Sequence, residues 1–195
     1  MTRKTTIALY LLLLVATATL APEFVRADHH GAKHAETDTT GGATLLLPIK
    51  NARIPMNGVL SGGQPTPEQI EAAARAGYRT VINLRGEKES GFEWEPQTVE
   101  ELGMKYEHLP VTGKDSLTHE RIERIDAVLT AALQEGPVLL HCASGNRIGA
   151  VLALRAAWVE DMDPEEALAY GRASGMTRTE GVTRELLGLA EPDSD

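Results

Sequence analysis

Cys142 is the only cysteine in the chain, so no disulfide can form within it. A lone thiol in an exported protein is a liability in an oxidising compartment unless something shields it or uses it. Aromatic residues are scarce at 4%, although a hydrophobic content of 42% still supplies a core for one domain. Beyond the first residues there is no cluster of lysine and arginine, and the formal charge is −9. That balance argues against nucleic acid as the main partner. It also means that an anionic ligand must be drawn by a local site rather than by the field of the whole molecule. No apolar run is long enough to span a bilayer comfortably.

The first residues read as a targeting segment. Arg3 and Lys4 give a positive start, Ile7 to Leu20 is mostly apolar, and Val25-Arg26-Ala27 places small residues where a signal peptidase needs them. The expectation is a signal peptide over residues 1–27, cleaved after Ala27, and a periplasmic or secreted protein with no stable membrane insertion after cleavage. An uncleaved anchor is the alternative. Cleavage would remove Arg3, Lys4, Arg26 and Glu23 and take the formal charge from −9 to −11. Residues 28–44 are polar, small and unpatterned, which reads as a flexible segment. Its His29, His30 and His34 fit a solvated tail better than a metal site, because no further clustered ligands follow. No metal and no cofactor is expected.

Regular patterning runs from 45 to 190, followed by a frayed tail over 191–195. Val59 to Gly63 is extended. Thr66-Pro67-Glu68-Gln69 is a helix start with a cap, a first-turn proline and a capping box. Strands follow at Tyr78 to Leu84, Met104 to Leu109 and Val138 to His141. Helices are expected over Pro96 to Leu102, Thr118 to Gln134, Ile148 to Val159, Asp163 to about Arg172, and Thr179 to Leu189. Strands alternating with helices predict an α/β three-layer sandwich, with a mostly parallel sheet of four to five strands and helices on both faces. Ligands in such folds bind at the carboxyl ends of the strands.

Cys142 falls at one of those ends. Pro137 to Gly149 reads P-V-L-L-H-C-A-S-G-N-R-I-G: an apolar strand, a small polar loop, then Arg147 opening an apolar helical run. Loop amides and the positive end of a helix dipole make an anion cradle there. The same field favours the thiolate, the nucleophilic form of cysteine, and Arg147 can grip an oxyanion with two prongs.

The segment H-C-A-S-G-N-R resembles the active-site loop of the cysteine-dependent protein phosphatases. Upstream, G-V-L-S-G-G-Q-P-T-P-E-Q-I and A-G-Y-R-T-V-I-N-L-R-G-E-K-E are similar to the opening of compact dual-specificity-type phosphatases. The likeness is closest to the bacterial phosphatase-like domain first described beside beta-lactamase-like hydrolases, and to its relative fused to NAD kinases. It covers about residues 53 to 175. The resemblance implies a phosphatase-like fold and a phosphocysteine intermediate. It makes Cys142 the nucleophile and Arg147 the oxyanion clamp, with Ala143, Ser144, Gly145 and Asn146 as backbone donors. It makes His141 the histidine that supports the thiolate. Asp115, 27 residues before Cys142 on the loop after a strand, matches the general acid in kind and place. The implied partner is a phosphorylated small molecule or phosphoprotein. Arg85 either helps to bind substrate or is held in an ion pair with Glu87 or Glu89.

Two departures stand out. Four residues separate Cys142 from Arg147 where the phosphatase signature has five, and Ile148 follows the arginine where a serine or threonine is usual. The shorter loop is the length found in rhodanese sulfurtransferases. Three readings therefore stand: a phosphatase, a persulfide-handling sulfurtransferase using the same cysteine, and a module that binds an anion without turnover.

Overall fold

The computed structural model describes residues 44–189. The expected signal peptide, most of the polar segment after it and the tail lie outside these residues. The sheet has five strands in the order β1-β2-β5-β3-β4. These are β1 (Arg53–Met56), β2 (Val59–Gly62), β3 (Thr80–Asn83), β4 (Lys105–His108) and β5 (Val138–His141). Only β1 runs antiparallel, against β2; the remaining pairs are parallel. Six helices accompany them: α1 (Pro67–Arg75), α2 (Glu95–Glu101), α3 (His119–Glu135), α4 (Asn146–Trp158), α5 (Pro164–Ala173) and α6 (Glu180–Leu186). The three-layer α/β sandwich expected from the sequence is the observed architecture.

Alternation along the strands builds the layers. Val138 and Leu140 of β5 face one side with Val59 and Ile82, and meet Ile122, Ile125 and Leu129 of α3 and Ile148, Val151 and Leu152 of α4. Leu139 faces the other side with Leu60 and Val81, against Ile70 of α1 and Val99 of α2. Helix α5 packs on the outer side of α4, where Ala150 meets Leu168 and Met176. Local signals set the helix starts. Thr66 Oγ1 accepts from Gln69 N–H at 3.3 Å while Gln69 Oε1 accepts from Thr66 N–H at 2.9 Å, the reciprocal pair of a capping box. Asp163 accepts from the amides of Glu165 and Glu166 at the head of α5.

Register fixes the location of the site. Gly62 and Asn83 both stand opposite His141, so β2, β5 and β3 end together. Strand β5 lies between the other two, and Cys142 is the next residue. Strand β1 has no counterpart in the sequence reading. Its four residues, R-I-P-M, carry no alternation, and Pro55 is tolerated because the strand lies at the sheet edge.

Candidate active site

The loop from Cys142 to Gly145 is pinned from outside by its carbonyls. Ala143 O accepts from the amide of Gln64 at 3.4 Å, and Ser144 O accepts from Asn51 Nδ2 at 3.0 Å. In a trans peptide the N–H points opposite to the C=O. The amides of Ser144 and Gly145 are therefore turned to the inside of the loop. Gly145 N–H donates to the Cys142 sulfur at 3.1 Å. Gly63 follows the end of β2 and lets the two backbones approach: a Cβ there would lie 3.1 Å from Ala143 O. Gly145 is left-handed at φ 88° and serves as N-cap of α4, a conformation that costs glycine little. Helix α4 begins at Asn146, two residues earlier than the apolar pattern suggests, which puts Arg147 in its first turn.

Arg147 is held by Glu89, the carboxylate that also pairs with Arg85. Its Nη1 lies 2.5 Å from Glu89 Oε1 and its Nη2 2.9 Å from Glu89 Oε2, a two-pronged pair. Nη1 also donates to Val111 O at 3.0 Å and to Leu84 O at 3.3 Å. None of these contacts uses Nε. Burial pulls the guanidinium pKa down, but the Glu89 hydrogen bond and the charge of the Cys142 sulfur outweigh it and leave the pKa raised. Cys142 itself is 1% exposed. Its sulfur accepts from the Gly145 amide, and Arg147 is near enough to interact with it.

Glu89 is anchored in turn by Gly86 N–H at 2.7 Å and Arg85 Nε at 3.2 Å. The hydrogen bond from Arg147 is the main reason its carboxyl falls from an ordinary 4.5 to about 2. A carboxyl group lowered in the folded state contributes stability above its unfolded pKa, and loses it as pH falls through the folded value. With about a third of the side chain exposed, water screens part of the effect. The melting-temperature gap between wild type and Glu89→Gln is therefore expected to be widest at neutral pH and to close between pH 4.5 and about 2. A gap that stays constant across that window would contradict the pairing.

Arg85 is fully committed. Nη1 donates to Gln64 Oε1 at 2.7 Å, Nη2 to Ser90 O at 2.7 Å, and the group lies 4.8 Å over the Phe92 ring. It braces the loop that carries Glu89. His141 is wholly buried, and its Nε2 faces Glu95 Oε1 at 3.0 Å. The approach is at ion-pair distance without hydrogen-bond alignment, and the ring has no hydrogen-bond partner. Glu95, equally buried, also accepts from Gln64 Nε2 at 3.2 Å, Asn83 Nδ2 at 3.0 Å and the Tyr106 hydroxyl at 3.2 Å. This network beneath the loop was not apparent in the sequence.

Asn146 is more than a source of a backbone amide. Its Nδ2 donates to Thr177 Oγ1 at 2.9 Å, and its Oδ1 accepts from the Thr179 hydroxyl at 2.7 Å and from the Thr177 and Thr179 amides. Asp115 lies exposed on a 3-10 turn (Lys114–Ser116) and lines a depression with Thr118, Arg121 and Arg124. Its neighbours Thr112, Gly113 and Lys114 border a cavity beside Arg147. Ile148 is fully buried in the core, so no hydroxyl follows the arginine. Among the described residues no cluster of potential metal ligands occurs.

A mostly parallel sheet whose central strand ends in a cysteine, a tight amide-lined loop and a helix opening on arginine defines the tyrosine-phosphatase-like class of α/β proteins. Within that class, residues 56–159 match the Beta-lactamase hydrolase-like protein, phosphatase-like domain. The chain belongs to this family. It is 34% identical over 125 residues to a Beta-lactamase hydrolase-like protein of Xylella fastidiosa, covering 62% of this chain and 28% of that one. The chain thus spans less than a third of the length of that relative. TpbA from P. aeruginosa, solved in complex with pTyr, superposes with a TM-score of 0.57 at 20% identity, over 77% of this chain and 91% of its own. The core catalytic domain of a PP-IP phosphatase from S. cerevisiae, solved in complex with citrate, gives 0.58 at 14% identity, over 75% and 89%. These two likenesses concern the fold.

Proposed function

We propose that this chain is an exported, cysteine-dependent hydrolase of phosphomonoesters that works through a phosphocysteine. The observation that carries the reading is the juxtaposition of sulfur, inward amide and guanidinium: Gly145 N–H is 3.1 Å from Cys142 Sγ, and Arg147 is held over the same loop by Glu89. Two fold relatives hold the anionic ligands pTyr and citrate, in keeping with an anion bound in this loop.

In the proposed reaction the loop amides and Arg147 take the phosphoryl oxygens, where negative charge is held through the transition state. The Cys142 sulfur attacks phosphorus. An S–P bond forms as the bond to the leaving oxygen breaks, and that oxygen takes a proton from the carboxyl of Asp115. Water then attacks phosphorus, the S–P electron pair returns to sulfur, Asp115 takes the proton back and phosphate departs. Asp115 is preferred as donor over Glu89, which its arginine keeps ionised. Asp115→Asn is expected to slow hydrolysis of alkyl phosphates by roughly a hundredfold while affecting nitrophenyl phosphate far less. Equal losses on both substrates would remove Asp115 from the reaction.

A second reading is favoured by one feature. The four-residue spacing to Arg147 and the buried Ile148 after it suit a sulfurtransferase, in which Cys142 carries a persulfide. A carrier of that kind has less need of a proton donor, so an intact response to Asp115→Asn also separates the two.

A further inference from the structure

A cavity of 160 Å³ opens beside Arg147 and has one feature that phosphoryl chemistry does not require. Val111, Leu117 and Ala150 give it apolar walls, while Arg147, Lys114 and Arg178 bring three cations to its lining. Lys114 is already paired with Glu185, and Arg147 with Glu89. Among the described residues, Arg178 has no ion pair or hydrogen bond through its guanidinium. Arg75, Arg85, Arg155, Arg172 and Arg184 all face a carboxylate. Arg53, Arg79, Arg121 and Arg124 do not, and neither does Arg178; what sets Arg178 apart is that it lines the cavity it shares with Arg147.

Its position is also fixed relative to the loop. The residues on either side of it, Thr177 and Thr179, are both bonded to the side chain of Asn146, the residue just before Arg147. One asparagine thus sets where both arginines emerge. Arg147 keeps Glu89 as its counter-ion, whereas Arg178 brings its charge to the same cavity without one. The apolar walls between them suit an uncharged body with an anionic group at each end. The volume is well under the roughly 300 Å³ of a site for a drug-sized ligand, so that body is small.

We infer that this cavity selects small phosphomonoesters that carry a second anionic group, with the phosphoryl group at Arg147 and the second anion at Arg178. The inference rests on the phosphatase reading for its substrate class. It is tested with two aryl phosphates that differ only in a ring carboxymethyl group, and with the two corresponding non-hydrolysable phosphonates. Wild type is expected to favour the carboxylated ester by about tenfold in kcat/KM. The corresponding phosphonate should bind about tenfold more tightly by calorimetry. In Arg178→Gln both ratios should collapse toward one. Arg178→Lys, which keeps the charge but not the fork, should restore part of each. The preference in wild type should also shrink as salt is raised. No preference in wild type, or a preference that survives Arg178→Gln, overturns the inference. If neither ester is hydrolysed, the phosphatase reading fails. The phosphonate ratio still decides the second-anion claim, and equal binding of the pair overturns it.

Discussion

Serine at position 142 is expected to lower aryl phosphate turnover by at least about a thousandfold while leaving the fold in place. The side chain differs by one atom, and the position is 1% exposed. A hydroxyl there keeps the Gly145 amide as a donor, now 3.1 Å from the former sulfur position, so no buried polar atom is abandoned. What disappears is the nucleophilic sulfur, because a serine hydroxyl is a far weaker nucleophile at neutral pH. Thermal unfolding run beside the assay separates the two effects. A melting temperature within a few degrees of wild type, with activity gone, is the expected pair of results. Activity retained at a tenth of wild type or more would show that the sulfur is not the nucleophile.

Gly149→Ala is expected to have the largest effect on stability, a loss of about 3 kcal/mol or more. Gly149 lies where α4 crosses α5. A Cβ there would stand 2.4 Å from Met176 N and 2.5 Å from Gly171 O. Both are backbone atoms, so no rotamer change relieves the clash and the helices must separate. Gly171 is the reciprocal contact, its own Cβ position lying 2.7 Å from Gly149 O. Because Arg147 is two residues away on the same helix, activity should fall with stability. Gly181→Ala is the control. It sits inside α6 and a Cβ there meets nothing within 4 Å, so it should be neutral or stabilising by up to about 1 kcal/mol. Urea unfolding of the two variants measures the contrast, and equal midpoints would show that the helix crossing is looser than described.

Much of the fold was legible because its signals are local. The caps at Thr66 and Asp163 announce α1 and α5, and the apolar run at Val138 to Leu140, set off by Gly136-Pro137, reads as a buried strand. Alternation and helical periodicity are properties of neighbouring residues, and they located the elements to within about two residues at most ends. Strand β1 escaped because an edge strand with one proline has no pattern to read. At the site, the thiol, the loop and the arginine are contiguous and were visible together. Their supports were not. Glu89 sits 58 positions from Arg147, and Asn146 is 31 and 33 positions from the two threonines it holds. Such contacts depend on where the sheet brings two loops, and they leave no periodicity. Glu95 is the clearest case. Between Trp94 and Pro96 nothing in the sequence marks it as a core residue, yet it is wholly buried, accepting from Asn83 of β3, Tyr106 of β4 and Gln64 after β2.

The central claim is that Cys142 accepts a phosphoryl group. The most direct measurement mixes the protein with an aryl phosphate and, separately, with thiosulfate, quenches each in acid, and weighs the peptide that contains Cys142. The account predicts one phosphoryl group on that peptide from the ester, lost when Cys142→Ser is used. A persulfide from thiosulfate with no phosphoryl adduct from the ester would contradict it.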